Sequence, residues 1–304
     1  MAALRKREQA LPSDPELRSQ IGEAVTFGGR MRRMARENRL AVISAFVLAL
    51  LFLLALLAPV LTPYGEEDMD LLHRLNPPSP EHLFGTDEGG RDVLTRLLYG
   101  SRISLLIGVI PTLFSLAIGA ALGMLAGFRG GWTDTVIMRL ADIMLAFPSM
   151  LLAMVILYTL GGGAQNLFLT LSLMNWAGVA RVVRSETLRI KSSEYVEAAR
   201  VMGVSRGKTI VRHILPNCAP TLIVLFTLNV PSAILTESSL SFLGLGIQAP
   251  QASWGLMVNT GRQYLLNAPW LSLIPCGAIM VTVLSFNFLG DGLRDALDPQ
   301  MQLR

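Results

Sequence analysis

Few residues in this 304-residue chain could do chemistry of their own. The three histidines, His73, His82 and His213, stand far apart, and no helix would carry a His pair at metal-ligand spacing. Cys218 and Cys276 lie in two separate apolar segments, so they imply no disulfide framework and read as small buried hydrophobes. No Gly-x4-Gly-Lys-Ser/Thr stretch is present to cradle a nucleotide phosphate, and no Gly-x-Ser-x-Gly elbow to present a nucleophile. The acids of Glu66–Asp92 follow no ligand pattern and read as solvated surface. Two acids stand apart, because Asp142 and Glu237 fall inside long apolar runs. The chain is therefore expected to be no enzyme and to carry no metal or cofactor.

The elements that hold these residues follow from composition. The chain is 52% hydrophobic and 16% charged, with mean hydropathy +0.49. A soluble domain carries roughly a quarter charged residues, so this chain has too little charge to coat a globular surface. A membrane-spanning helix needs about 20 mostly apolar residues. Leu40–Leu61 and Ile103–Gly127 supply 22 and 25 uncharged residues. Ile143–Ala180 supplies 38, cut by the turn sequence Gly161-Gly162-Gly163-Ala164-Gln165-Asn166, so two helices are expected, Val136–Leu160 and Asn166–Val183. Cys218–Ile247 and Ala268–Gly290 complete six spans. Thirty-nine residues precede the first run, which does not fit a cleaved signal peptide.

Lys and Arg retained in loops set orientation. Segment 1–39 has nine Lys/Arg and segment 181–213 has eight, whereas 62–100 has three against eight Asp/Glu. The basic segments alternate, which places both termini in the cytoplasm and explains the pI near 9.4 without nucleic acid. The expected organisation is a cytoplasmic tail over 1–39, disordered over 1–29, a first span over 40–61 and an extracytoplasmic loop over 62–102. A five-helix core over 103–290 and a cytoplasmic tail over 291–304 follow.

Inside the spans, Ser115, Gly119, Gly123 and Gly127 repeat every fourth residue, a spacing that lets helix backbones touch, either within the bundle or against a second chain. Pro111, Pro148, Pro231 and Pro275 interrupt four spans as fixed kinks or hinges. An uncompensated acid at mid-bilayer costs roughly 2.5–3.5 kcal/mol. Asp142 is one turn from Arg139 and can pair with it, or line a path. Glu237, late in its span after Pro231, caps local backbone or faces a path. Ser253–Arg262 reads as a short amphipathic helix, with Trp254 and Trp270 at the headgroups.

The loop 184–216 is the most informative. Ser192 or Ser193 can cap a helix that begins at Glu194, with Tyr195, Ala198, Ala199 and Met202 on one side. Gly203 supplies a left-handed stop, Ser205 can cap a second short helix, and Pro216 resets the backbone. The order Glu197-Ala198-Ala199, three residues, Gly203, then Leu215-Pro216 resembles the coupling motif of permease subunits of ATP-binding cassette (ABC) importers. His213 occupies the family's isoleucine place and Ile214 follows it. Phe84–Leu105, Ser239–Gln248 and Gly290–Pro299 look like three further signatures of dipeptide/oligopeptide permeases, and the resemblance runs from about residue 30 to 304.

That resemblance implies an all-α fold of the type I ABC importer permease, multi-pass in a bacterial inner membrane. It implies ATPase coupling through Glu197, Ala198, Ala199, Gly203, His213, Ile214, Leu215 and Pro216. It implies that Phe242, Leu243 and Trp254 face an extracytoplasmic substrate-binding protein, and that spans three, five and six line the path, with Asp142, Pro148, Pro231 and Glu237 as pathway candidates. Implied partners are a homologous second permease, two ATPase subunits holding ATP and Mg, and membrane lipid. Peptides are the expected cargo, with glutathione and nickel chelates as alternatives. A secondary transporter or channel without an ATPase is the other class.

Overall fold

The computed structural model describes residues 27–297, which form helices and no β-strand beyond one isolated bridge, Thr86 to Asp92. Of the expected tails over 1–39 and 291–304, residues 1–26 and 298–304, with Asp298 and Pro299 of the last signature, lie outside the described residues, and 291–297 continue the last helix. The segment read as disordered ends in a helix instead: α1 covers Phe27–Glu37. Asn38 then starts α2, Arg39–Leu61, its side chain accepting the Ala41 N–H at 3.0 Å.

Residues 62–92 form an irregular loop with one short turn, Leu71–His73. Asp92 accepts the Thr95 N–H at 2.7 Å and starts α3, Val93–Arg129, ten residues before the expected Ile103. At 1.5 Å per residue its 37 residues reach about 55 Å, so it projects beyond a 30 Å apolar core.

The third expected span, Val136–Leu160, is not one helix. α4 covers Gly131–Ala146 and α5 covers Ser149–Leu160, with an 88° bend between them. Pro148 is the physical reason. It has no N–H and disfavours helical geometry in the residue before it, and Phe147 is extended at ψ 138°. The described residues thus contain five helices long and apolar enough to cross a membrane, or six spans if the bent pair counts as one. α6, Ala164–Met174, and α7, Trp176–Lys191, run almost continuously through Asn175. Two short helices follow, α8 at Glu194–Val201 and α9 at Arg206–Thr209. A π turn, Ile210–Ile214, leads into α10, Leu215–Phe242, which stops short of the expected Ile247. α11, Trp254–Gly261, matches the expected amphipathic helix, and α12 is Trp270–Leu297.

α3 is the central post, touching α2, α4, α6, α7, α10 and α11. Its glycine ridge lies within the bundle. A Cβ on Gly119 would stand 2.6 Å from the Trp176 carbonyl oxygen, on Gly123 2.5 Å from that of Ala180, and on Gly127 2.9 Å from that of Arg184. All three oxygens are backbone of α7, with Val179, Val183 and Thr187 side chains beside them, so the two helices touch closely at each glycine. Lys191 Nζ then donates to the Phe128 carbonyl at 2.7 Å and closes the C-terminal end of α3.

Loops 62–92 and 243–269 gather at one end of the bundle, where Ala252 N donates to Glu66 Oε1 at 2.5 Å. The turn at Gly130 and the segment 192–214 gather at the other. Cys218 is buried as expected, but Cys276 is exposed on the apolar surface of α12.

Candidate functional site

The segment 192–216 is a platform seated on the ends of α3, α7 and α10. Ser193 starts α8, yet its hydroxyl donates back to the Ile190 carbonyl at 2.6 Å and makes no cap bond to α8, so neither Ser192 nor Ser193 caps by side chain as expected. Glu194 and Glu197 in the first turn favour the helix dipole instead. The faces of α8 also differ from expectation. Val196 is buried in one apolar cluster with Ile190, Ile214 and Cys218, and Ala199 is buried too, whereas Tyr195, Ala198 and Met202 are exposed. Three positions apart, 196 and 199 point down into the bundle, and the residues between them point out.

Gly203 ends α8 at φ +79°. Gly203 N donates to the Arg200 carbonyl at 3.0 Å and Val204 N to that of Ala199 at 3.1 Å, the paired bonds of a Schellman stop. Beyond it, His213 packs its ring against Tyr195 with centroids 6.4 Å apart. A π turn holds more residues than an α turn, and Ile214, one place after His213, is the side chain that reaches the core. Asn217 Nδ2 donates to the His213 carbonyl at 2.6 Å, and Pro216 stands in the first turn of α10.

The outward surface therefore consists of Glu197, Ala198, Val201 at 89% exposure, Met202 at 77%, and Val211. Val201 and Val211 escaped the sequence reading, because only the seating of Val196 and Ile214 shows which valines are left outside.

Charged pairs brace this end. Arg184 holds both oxygens of Asp134, with Nη2 to Oδ2 at 2.5 Å, and so ties α7 to the first turn of α4. Arg181 reaches Asp142 at 2.5 Å and the expected partner Arg139 stands at 3.7 Å, so Asp142 is shared between two helices.

At the opposite end, Glu237 is fully buried and bonded by three serines, so within this chain it faces no path. Trp254 is 1% exposed, with its indole N–H donated to the Leu97 carbonyl at 3.2 Å and its backbone N–H to Ser104 at 3.1 Å. It can meet neither headgroups nor a partner protein, because the wall of α3 covers it. Phe242 and Leu243 remain exposed, and Arg262 lies 4.6 Å over the Phe242 ring. Pro231 is buried inside an unbroken α10, while Pro148 lies at the 88° bend.

The described residues thus define a helical, multi-span membrane protein with a two-helix platform at one end. The chain belongs to the family described as binding-protein-dependent transport system inner membrane component, whose model matches residues 119–303. The N-terminal TM domain of oligopeptide transport permease C matches residues 26–78. Among similar proteins, the dipeptide transport system permease protein DppC of Alkalihalophilus pseudofirmus is 43% identical over 270 residues, 89% of each chain. The oligopeptide transport system permease protein OppC of Bacillus subtilis is 42% identical over 267 residues, 88% of each chain. The glutathione transport system permease protein GsiD of Pectobacterium atrosepticum is 42% identical over 272 residues, covering 89% of this chain and 90% of its own.

Proposed function

We propose that this chain is the permease subunit of an ATP-driven importer of peptides, coupled to separate ATPase subunits through the platform 192–216. The platform end and both termini face the cytoplasm, and loops 62–92 and 243–253 face outward. A second, homologous permease completes the path, and an extracytoplasmic binding protein delivers cargo. The observation that carries this reading is the geometry of α8. Val196 and Ala199 fasten it to the bundle, the Gly203 stop fixes its end, and Glu197, Ala198, Val201 and Met202 are left as a small, partly apolar surface where an ATPase can dock. Movement of a docked ATPase passes back into α7, which leads into α8 with only Ser192 and Ser193 between them, and so into α3.

The cargo reading draws on the relatives, two of which are named for dipeptide and oligopeptide transport and one for glutathione, itself a tripeptide. Purification in gentle detergent, with co-purifying proteins identified by mass, tests the assembly. A second permease and ATP-binding subunits are expected. A folded chain recovered alone would favour a secondary transporter, and gradient-driven uptake would then be measured. Competition of labelled dipeptide uptake by longer peptides and by glutathione separates the cargo classes.

A further inference from the structure

Glu237 stands in the last turns of α10, and its carboxylate is met by hydroxyls alone. Ser241 Oγ donates to Oε1 at 2.7 Å and Ser253 Oγ to the same oxygen at 2.9 Å, while Ser238 Oγ lies 3.3 Å from Oε2. Two of these hydroxyls also accept from backbone. The Ile247 N–H donates to Ser241 Oγ at 3.1 Å, and the Leu256 N–H donates to Ser253 Oγ at 3.2 Å. One carboxylate oxygen therefore anchors two relays. The first ends on the loop after α10, and the second ends on the first turn of α11.

The loop is pressed onto this node. A Cβ on Gly246 would lie 2.0 Å from Ser241 Oγ, and one on Gly255 2.6 Å from Ser238 Cα. Gly163 N donates to the Gly246 carbonyl at 3.1 Å, so the turn between α5 and α6 hangs from the same loop. With Gly246, Ile247, Ala252 and Ser253 buried, the loop exposes Phe242, Leu243 and Gly244 on one flank and Gln248–Gln251 on the other. A loop so fastened offers its exposed flanks in one shape, and binding to it needs no ordering step.

We infer that Glu237 is a positioning residue, which holds the 243–253 loop and the start of α11 preformed for the extracytoplasmic protein that delivers substrate. The inference rests on the proposed reading that this face meets such a protein. Its role is to accept hydrogen bonds at the right reach, and its charge is not required. Gln keeps Oε1 in place as the double acceptor. Asp keeps the charge but is one methylene too short to meet Ser241 and Ser253 together.

The test uses the complete complex in lipid nanodiscs and the binding protein of the same transport system, loaded with peptide. ATP hydrolysis is followed as that protein is titrated. Wild type and Glu237→Gln are expected to saturate alike. Glu237→Asp and Glu237→Ala are expected to raise the half-saturating concentration about five- to tenfold, with the maximum rate within about twofold of wild type, because only docking has lost its preformed partner. An impaired Gln variant with a normal Asp variant would overturn the inference and assign a role to the charge. Wild-type half-saturation in Glu237→Asp would overturn it too. If Glu237→Ala fails to assemble, the Gln and Asp pair still decides. Absence of any stimulation in wild type would count against the proposed function itself, a separate outcome.

Discussion

Arg102 supplies to α2 the hydrogen bond that Pro59 takes away. Proline has no N–H, so Pro59 leaves the Ala55 carbonyl, four residues earlier, without its helical partner. Arg102 Nε donates to that carbonyl at 2.5 Å, and Nη2 donates to the Leu56 carbonyl at 2.8 Å. In lipid no water can fill such a vacancy, so the guanidinium of α3 mends a break in α2 and clamps the two helices together.

Arg102→Met is expected to destabilise the chain by about 1–3 kcal/mol, the usual cost of an orphaned buried acceptor. Pro59→Ala restores the missing N–H, so Arg102→Met should cost less on that background. Thermal unfolding of the four variants in detergent checks this, and strictly additive effects would sink the pairing.

The contact of α3 with α7 predicts a sharp contrast between two small substitutions. Gly123→Ala forces a methyl to 2.5 Å from a backbone oxygen and is expected to cost about 1–3 kcal/mol. Gly178, on α7 itself, has open space around its Cβ position, and Gly178→Ala should be neutral or slightly stabilising. Comparable melting temperatures for both variants would mean that the ridge does not pack as described.

At Gly203 nothing lies within 4 Å of an added Cβ, so any penalty comes from the backbone alone. Left-handed geometry costs an ordinary side chain about 1–2 kcal/mol, and Asn tolerates it best. Gly203→Val is expected to give an assembled complex that does not transport, and Gly203→Asn one that does. Normal peptide uptake by the Val variant would remove the stop at Gly203 from the coupling role.

His73 and Asp70 make a pH-dependent pair in the loop 62–92, with Nδ1 and Oδ2 2.7 Å apart. The hydrogen bond to Asp70 raises the pKa of His73, and the same bond, helped by the Leu72 N–H, lowers that of Asp70. The imidazolium contribution is complete below the unfolded His value and fades as pH rises through the raised one. The carboxylate contribution holds above the unfolded Asp value and fades as pH falls through the lowered one. The pair is therefore strongest between the two folded values. Asp70→Asn should move the His73 titration downward, as read by NMR of histidine-labelled protein; an unmoved midpoint would refute the pairing.

Apolar run length alone marked α2 and α12 well, since a span of lipid demands it. It failed at α4 and α5, because an apolar run of 38 residues carries no periodic mark of an 88° bend, and Pro148 was one proline among several. The glycine spacing was legible, but its partner on α7 was not, since any chain with a smooth backbone could have filled it. Pattern alone does not place Trp254, because an aromatic near a span end suits a headgroup or a core equally well, and the fold puts it in the core. Glu237 stands out in an apolar run, yet its partner Ser253 belongs to the loop that caps α11, and only the fold brings the two together. Pro59 and Arg102 carry no sequence signal for the same reason: each is ordinary without the other.

The glycine ridge also bears on how the chain is made. Gly127 leaves the ribosome 49 residues before Trp176. At about 5–20 residues per second, α3 waits roughly 2–10 s in the membrane with its groove unfilled. α4, α5 and α6 are synthesised during that wait, and their insertion must leave the groove clear for α7. The seam between α3 and α7 is thus joined only after α4, α5 and α6 have been laid down, and α10 and α12 are added to a pair that is already closed.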